Sequence, residues 1–279
     1  MIRLLPDFEE DLFLELFQKS AHDTWTSRDL DWSLPFQLSP RQMQALARML
    51  TPVYLGEQTA MLGAGRMLTQ FMEAGETTAQ IYVASFIMDE ARHFEALTRL
   101  YRHLGQSPLS VRAMPEMLRF HHRLRQGDRV DWTWGILISD LFAKLFYRWF
   151  ARSQPEALFG RMATRILQDE SRHQAFAMHY LSRNVPKLMP ERRRALLATR
   201  DEILHLLPLG VDRVRADCEA LGFDGDRFVA ELTAELEQAS RRIGLDEPEP
   251  PAAPPPVAPA HMAPCFGCLL AALCQPALA

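Results

Sequence analysis

Residues 89–93 read Asp-Glu-Ala-Arg-His, and residues 169–173 read Asp-Glu-Ser-Arg-His. Side chains three positions apart in an α-helix point from the same face, so each Glu-x-x-His aims a carboxylate and an imidazole at one point. One such motif is a weak indication, because solvated helix faces often carry it by chance. The recurrence of the whole unit in two apolar helices indicates a metal site built from both copies.

Ferritin-like proteins provide the setting for such a doubled motif. In that fold, two Glu-x-x-His pairs and a carboxylate from each of two further helices hold two metal ions in the core of a bundle. The sequence therefore predicts an all-α fold, a ferritin-like four-helix bundle with additional N- and C-terminal helices. The alternative is that the motifs form buried salt bridges left over from a site that has lost its metal.

Glu57 is the first candidate for an added carboxylate. It lies in a predicted helix that begins at Ser39 and Pro40, a favourable start signal, and small and apolar residues surround it between 55 and 64. An unpaired charge is expensive to bury there, so Glu57 needs a cation. The alternative is a partly exposed glutamate at a kink caused by Pro52.

Asp140 is the second candidate. It is the only carboxylate in the middle of the most apolar predicted helix, residues 131–151, where the bundle needs one. In the alternative interpretation, Asp140 forms an ion pair with Lys144 one turn further on and never touches a metal.

The residues beside the motif glutamates also have predicted roles. Asp89 and Asp169 are each placed to accept a hydrogen bond from the imidazole of the opposite motif, which orients a metal-bound histidine. Arg92 and Arg172 either neutralise these aspartates or form salt bridges on the helix surface. Two histidines and four carboxylates suit iron or manganese better than zinc or copper.

The remaining helices follow from apolar residues at 3.6-residue spacing and from capping and breaking signals. Those after residue 190 have charged outer faces and are interpreted as packing or dimerisation elements without chemistry. His121 and His122 are sequence neighbours that point in different directions, so they are not predicted ligands. The predicted helices are 8–19, 39–74, 78–103, 111–125, 131–151, 153–182, 190–207, 211–221 and 226–243, with a loop at 21–38.

Composition excludes several classes of protein. The chain has 279 residues and 48% of them are hydrophobic, enough for one large core. A net charge of -4 without a basic run argues against nucleic-acid binding. No apolar run is long enough to span a membrane, and the acidic N-terminal segment is unlike a signal peptide. Cys218 is the single cysteine before the C-terminal tail, so a cytoplasmic location is predicted.

The C-terminal stretch differs in composition. Residues 1–245 are predicted to form the helical dimetal domain, and residues 246–279 a proline-rich disordered linker with a short apolar tip. The tip carries Cys265, Cys268 and Cys274. It is a docking peptide for a partner, a thiol or metal element, a palmitoylation site, or an end without function.

Over about residues 25–182 the chain resembles the non-haem diiron carboxylate oxygenases and oxidases of the ferritin-like superfamily. It is most similar to the branch of ribonucleotide reductase small subunits, ligand-binding oxidases and hydroxylase subunits of bacterial multicomponent monooxygenases. The doubled motif is similar to the monooxygenases, and the spacing of Glu57 and Glu90 to the ligand-binding oxidases. The resemblance implies two iron ions, or a Mn/Fe or Mn/Mn pair, held by Glu57, Glu90, His93, Asp140, Glu170 and His173.

Several positions depart from the patterns of these relatives. Leu97 stands where the reductases hold a radical tyrosine, and Ala60 and Gly135 stand where the ligand-binding oxidases form a valine–tyrosine crosslink. Lys144 replaces a threonine of the monooxygenases, and Asp140 replaces the usual glutamate. The resemblance therefore implies the fold and the metal site but leaves the reaction open.

The resemblance implies an O2-dependent oxidoreductase that hydroxylates or oxidises a small, largely apolar substrate and takes electrons from an unidentified donor. Lys144 is the predicted catalytic residue, a charged group that meets the substrate. A homodimer is compatible with the sequence. The alternatives are an amine N-oxygenase, which Ile166 disfavours because some of those enzymes carry an extra histidine there, and a ferritin-like iron-storage protein. The predicted pocket residues are Ala60, Phe86, Leu97, Ile136 and Phe142.

Overall fold

The computed structural model describes residues 11–124 and 127–246. Within this part of the chain every regular element is helical, so the predicted all-α class is confirmed. The C-terminal linker and its cysteine tip lie outside the described residues, as do the side chains of His121 and His122. The helices are α1 Asp11–His22, α2 Pro40–Ala74, α3 Thr77–Leu104, α4 Pro115–Leu124, α5 Arg129–Ser153, α6 Leu158–Asn184, α7 Pro190–Arg213, α8 Arg215–Leu221 and α9 Gly225–Arg242.

Helix α2 begins and ends at the residues that the sequence signals predict. The Ser39 hydroxyl accepts a hydrogen bond from the backbone N–H of Gln42, whose side chain accepts one from the Ser39 N–H, which forms a capping box. The helix continues through Pro52. At its C-terminus Gly75 has φ 74°, a left-handed conformation that glycine adopts without strain.

Four long helices form the central bundle. Helix α2 packs along α3, α5 packs along α6, and contacts between α2 and α5 and between α3 and α6 close the bundle. Helix α1 covers α3 and α6, α8 packs on α2, and α9 packs on α5 and α7. Both motif helices, α3 and α6, therefore face the same interior volume, together with the helices that carry Glu57 and Asp140.

Gly63 is required where α2 crosses α5. A Cβ added at Gly63 would lie 2.3 Å from Cε3 of Trp132, and the Trp132 side chain is fully buried and has no room to retreat. We expect Gly63→Ala to lower the free energy of unfolding by about 1–3 kcal/mol, the usual cost of overpacking a core.

Gly65 provides the matched control on the same helix. A Cβ at Gly65 would meet no heavy atom within 4 Å. Since alanine is the better helix former, Gly65→Ala should raise the free energy of unfolding by about 0.5–1 kcal/mol. Urea denaturation of both variants measures the difference, and equal effects would contradict the close approach of α2 and α5.

Candidate metal centre

The structure brings the six sequence-predicted metal ligands together in the bundle core. Ligand atoms of Glu57, Glu90, His93 and Glu170 lie within 4.8 Å of one another, and so do those of Asp140, Glu170 and His173. Glu170 belongs to both groups. All six side chains are between 0% and 5% exposed, so the cluster is shielded from bulk water.

Both imidazoles turn the same ring nitrogen toward the carboxylates. His93 Nδ1 lies 3.3 Å from Glu57 Oε2 and 3.8 Å from Glu170 Oε1. His173 Nδ1 lies 3.1 Å from Glu90 Oε1 and 3.5 Å from Glu170 Oε2. The donor set thus has two halves, one around each imidazole. Glu170 and Glu90 each lie close to both halves.

Several ligand atoms in this cluster make no hydrogen bond within the described structure. Glu90 Oε1, Asp140 Oδ2, Glu170 Oε2 and His173 Nδ1 are buried and have no such partner. Buried polar atoms are normally satisfied, because an unpaired one is costly. These atoms face one another instead, since His173 Nδ1 lies 3.1 Å from Glu90 Oε1 and 3.5 Å from Glu170 Oε2. Converging atoms of the type that bind iron or manganese, without hydrogen bonds of their own, fit a pair of divalent cations.

The electrostatics of the cluster point the same way. Burial raises the pKa of the Glu90 carboxyl well above its usual range, and the charge of Glu57 raises it further. Burial and the charge of Glu170 do the same to the pKa of Asp140. Burial opposes protonation of His93, but Glu57 and Asp169 outweigh it and raise the pKa of the imidazole. An excess of buried negative charge therefore attracts protons, and divalent cations would satisfy it better.

Each motif aspartate contacts the imidazole of the opposite motif. Asp169 Oδ2 lies 2.9 Å from His93 Nε2, and Asp89 Oδ2 lies 3.3 Å from His173 Nε2. An aspartate that accepts the Nε2 hydrogen leaves the Nδ1 lone pair free for a cation. The cross-motif arrangement therefore holds both imidazoles in the tautomer that a metal site needs.

The two motif arginines lie against these aspartates rather than on the helix surface. Arg172 is buried and donates hydrogen bonds to Asp169 and, at 3.3 Å, to Asp89 Oδ2. Arg92 donates to Asp89, and its Nη2 lies 3.8 Å from Asp169 Oδ2. Burial alone would raise the pKa of Asp169, but hydrogen bonds from His93 and Trp25 and the Arg172 charge lower it. Burial likewise raises the pKa of Asp89, but the hydrogen bond and the charge of His173 lower it, so both aspartates stay ionised.

Two contacts to the aspartates come from residues that sequence reasoning missed. Trp25 Nε1 donates to Asp169 Oδ2 at 2.8 Å, and Ser20 Oγ donates to Asp89 Oδ1 at 3.1 Å. Both residues belong to the N-terminal segment that covers α3 and α6. No local signal marks them, because their partners are 144 and 69 positions away in sequence.

Tyr147 was also missed, although its position offered a signal. Its hydroxyl donates to Glu57 Oε1 at 3.0 Å, and the side chain is fully buried. Tyr147 follows Asp140 by seven positions, two helical turns, so both lie on the same face of α5. Its hydrogen bond restricts the orientation of the Glu57 carboxylate.

The structure does not bring Lys144 to the cluster. Lys144 Nζ donates to both carboxylate oxygens of Glu235 on α9 at 3.1 Å. The predicted contact with substrate is therefore corrected, and the alternative ion pair with Asp140 is replaced by the pair with Glu235. The physical reason is that α9 packs on α5 and offers a carboxylate on the outer side of the bundle.

A cavity of about 170 Å³ adjoins the cluster. Glu57, Glu90, Asp140 and Glu170 form its inner end, and most of the remaining lining is apolar. Of the predicted pocket residues, Ala60 and Phe142 line it. Phe86, Leu97 and Ile136 do not, because they are buried between the helices, where Phe86 packs on the His173 ring with centroids 4.3 Å apart.

The helices after residue 190 form one wall of this cavity, which corrects their interpretation as elements without a part in the site. Side chains from α7, α8, α9 and the loop before α9 complete an enclosure that the four bundle helices leave open. The wall residues are Ile203, Leu206, Leu207, Gly210, Val211, Arg213, Val214, Cys218, Phe223, Phe228 and Leu232.

Solved structures of R2-like ligand-binding oxidases share this fold. One, with an aerobically reconstituted Mn/Fe cofactor, is 18% identical at a TM-score of 0.71, and the match covers 86% of this chain and 94% of that one. Another, recorded after photoconversion, is 18% identical at 0.71, covering 85% and 94%. A variant of the oxidase with a Mn/Fe cofactor is 17% identical at 0.72, covering 86% and 100%.

These likenesses show the fold. The chain has the helical fold of the R2-like ligand-binding oxidases, so the predicted fold class is confirmed. No family model and no curated protein matches the sequence. Among the described residues, no helix combines the length and the apolar character needed to cross a bilayer.

Proposed function

We propose that the protein is an oxidoreductase that uses two metal ions to activate O2 and oxidise a small, largely apolar molecule. The observation that carries this proposal is the buried set of four carboxylates and two imidazoles, several of whose ligand atoms have no hydrogen-bond partner in the described structure. The Mn/Fe cofactors of the similar oxidases add support. Iron, manganese or one ion of each would suit the ligands.

Each of the six residues has a place in this proposal. Glu57 and His93 would hold one ion, Asp140 and His173 the other, and Glu90 and Glu170 lie close to both groups. Two such ions supply the redox chemistry that reduces O2, and the protein contributes binding, orientation and electrostatics. Tyr147 holds the Glu57 carboxylate, and the arginine-bound aspartates hold the two imidazoles.

The cavity supports an apolar substrate. Its lining beyond the carboxylates is mostly aliphatic and aromatic, so the substrate's apolar surface would displace water next to the cluster. Hydroxylation of such a molecule is the reaction that we propose. Ile166 is buried and adds no nitrogen ligand, so nothing in the site favours N-oxygenation of an amine.

The proposed reaction also needs a source of electrons. Electrons would come from a separate donor, and the protein would act in the cytoplasm as a monomer or homodimer. Light scattering of the purified full-length protein tests the assembly, because a cage of many subunits would instead support iron storage.

The decisive experiment combines metal analysis with O2 consumption. We expect about two ions of iron or manganese per chain, and consumption of O2 after anaerobic reduction and mixing with air-saturated buffer. Incubation with candidate apolar substrates should then yield a product that carries oxygen from labelled O2. Protein that stays free of metal after exposure to both ions would refute the proposal.

Asp169→Asn tests the role of the aspartates. The amide cannot accept the His93 hydrogen with a full negative charge, so we expect the affinity for Mn(II) to fall about 10- to 100-fold. Isothermal titration calorimetry measures this change, and circular dichroism checks the fold. Asp23→Asn, which changes an exposed aspartate, should leave the affinity unchanged. Equal affinities in both variants would mean that Asp169 does not position the imidazole.

A further inference from the structure

The outer end of the cavity has a different character from its walls. Arg213 is the only cationic residue among the described residues that line the cavity, and it is also the most exposed of them. Its side chain is 44% exposed, whereas the carboxylates at the inner end are nearly inaccessible. Arg213 therefore marks the mouth of the cavity, at the C-terminus of α7.

An ion pair lies across this mouth. Arg213 donates to the two carboxylate oxygens of Glu116, from Nη2 at 2.7 Å and from Nε at 3.2 Å. Glu116 belongs to the first turn of α4 and also lines the cavity. The Arg213 side chain is 44% exposed and that of Glu116 is 16% exposed, so water reaches the guanidinium more readily than the carboxylate. Another anion with two acceptor oxygens could replace Glu116, because the guanidinium would keep two hydrogen bonds.

The cavity lining next to the ion pair is apolar. Met117 follows Glu116, and Val211 and Val214 lie close to Arg213 in sequence, and all three line the cavity. A cation at the exposed end of an apolar cavity is complementary to a molecule that has an anionic group and an apolar body.

Charge determines which way such a molecule would lie. Four carboxylates occupy the inner end of the cavity, and no cationic side chain lines it there within the described structure. The two divalent cations of the proposed function would balance these carboxylates, so an anionic group at the buried inner end would lose its hydration without a net charge to compensate it. At the mouth the group keeps its contact with water and pairs with the planar guanidinium through two hydrogen bonds. The apolar end of the molecule would then point toward the cluster.

We propose that Arg213 is the specificity-determining residue that binds the anionic group of an amphipathic substrate at the cavity mouth and exchanges Glu116 for it. This inference rests on the proposed function, because the bound molecule is a substrate only if the protein is the proposed enzyme. The position that reacts would be the apolar end of the molecule, away from its charge. Glu116 would act as a competitor that closes the mouth when the cavity is empty.

Calorimetric binding of matched probes to the full-length protein tests this proposal. The probes are octane-1-sulfonate and octan-1-ol, which share an apolar chain and differ in charge, and a sulfonate is a weak metal ligand. We expect the sulfonate to bind about tenfold more tightly than the alcohol, and Arg213→Gln to remove this preference while leaving alcohol binding unchanged. Arg213→Lys keeps the charge but not the planar pair of hydrogen-bond donors, so this variant should retain part of the preference for the sulfonate.

Two further variants sharpen the result. Arg215→Gln changes an arginine that pairs with Asp212 and Asp226 and does not line the cavity, so it should keep the wild-type preference. Glu116→Gln removes the competing anion and should tighten sulfonate binding about threefold.

The outcomes separate this inference from the proposed function. Titrations are made with metal-loaded and with metal-free protein, so failure to bind metal does not hide the charge preference. Equal binding of the two probes to the wild-type protein, or a preference that survives Arg213→Gln, would overturn the inference. Neither result would affect the metal centre, which metal analysis tests separately.

Discussion

Glu170→Ala is expected to abolish binding of both metal ions. Glu170 belongs to both groups of ligand atoms, and its oxygens lie 3.8 Å from His93 Nδ1 and 3.5 Å from His173 Nδ1. Loss of its carboxylate removes a ligand from each half and leaves two imidazoles without the anion between them. Since outer contacts alone change affinity about 10- to 100-fold, a shared ligand should have a larger effect.

Metal content after reconstitution measures this prediction. Elemental analysis should find about two ions per chain in the wild-type protein and none above background in the variant. Glu170→Gln, which keeps the side-chain shape, should behave like the alanine variant because the charge is lost in both. Glu95→Ala, an exposed carboxylate of α3, should keep the wild-type metal content. Full loading of Glu170→Ala would show that the cluster is not the metal site.

Asp140→Asn is expected to change stability in opposite directions with and without metal. In the metal-free protein, burial and the charge of Glu170 raise the pKa of Asp140, so the ionised form is unfavourable in the folded state. The isosteric amide removes this charge and should raise the free energy of unfolding by about 1–3 kcal/mol at pH 7. In the metal-loaded protein it removes a ligand and should lower that free energy, because bound metal stabilises the folded state.

The pH dependence follows from the same shift. A carboxyl whose pKa is raised on folding binds more protons in the folded state than in the unfolded state, so its contribution to stability falls as the pH rises. The gain from Asp140→Asn in the metal-free protein should therefore shrink as the pH falls toward about 4, where the unfolded carboxyl is protonated as well.

Urea denaturation of chelator-treated and metal-loaded protein at two pH values provides the measurement. Asp201→Asn, an exposed aspartate beside Arg200, is the control and should change stability by less than about 0.5 kcal/mol in either state. A change of the same sign in both states would contradict a metal-ligand role for Asp140.

The candidate metal ligands could be predicted from the sequence because each is marked by residues close to it in the chain. Helical periodicity places Glu and His of each motif on one face, and the apolar surroundings of Glu57 and Asp140 make an unpaired charge there unfavourable. The ends of α2 were also predictable, because the capping residues Ser39 and Gly75 are adjacent to the helix in sequence. The ligand assignment itself stays a proposal that metal analysis will decide.

Contacts between segments far apart in the chain could not be predicted from the sequence in the same way. The sequence by itself determined two motif helices, their shared inward face and the class of fold. Only the tertiary structure decided that Trp25 and Ser20 reach the motif aspartates, that Lys144 pairs with Glu235 on the outside, and that α7 to α9 wall the cavity and carry Arg213 to its mouth. The physical reason is that periodicity determines which way a side chain points from its own helix, whereas its partner depends on how the helices pack.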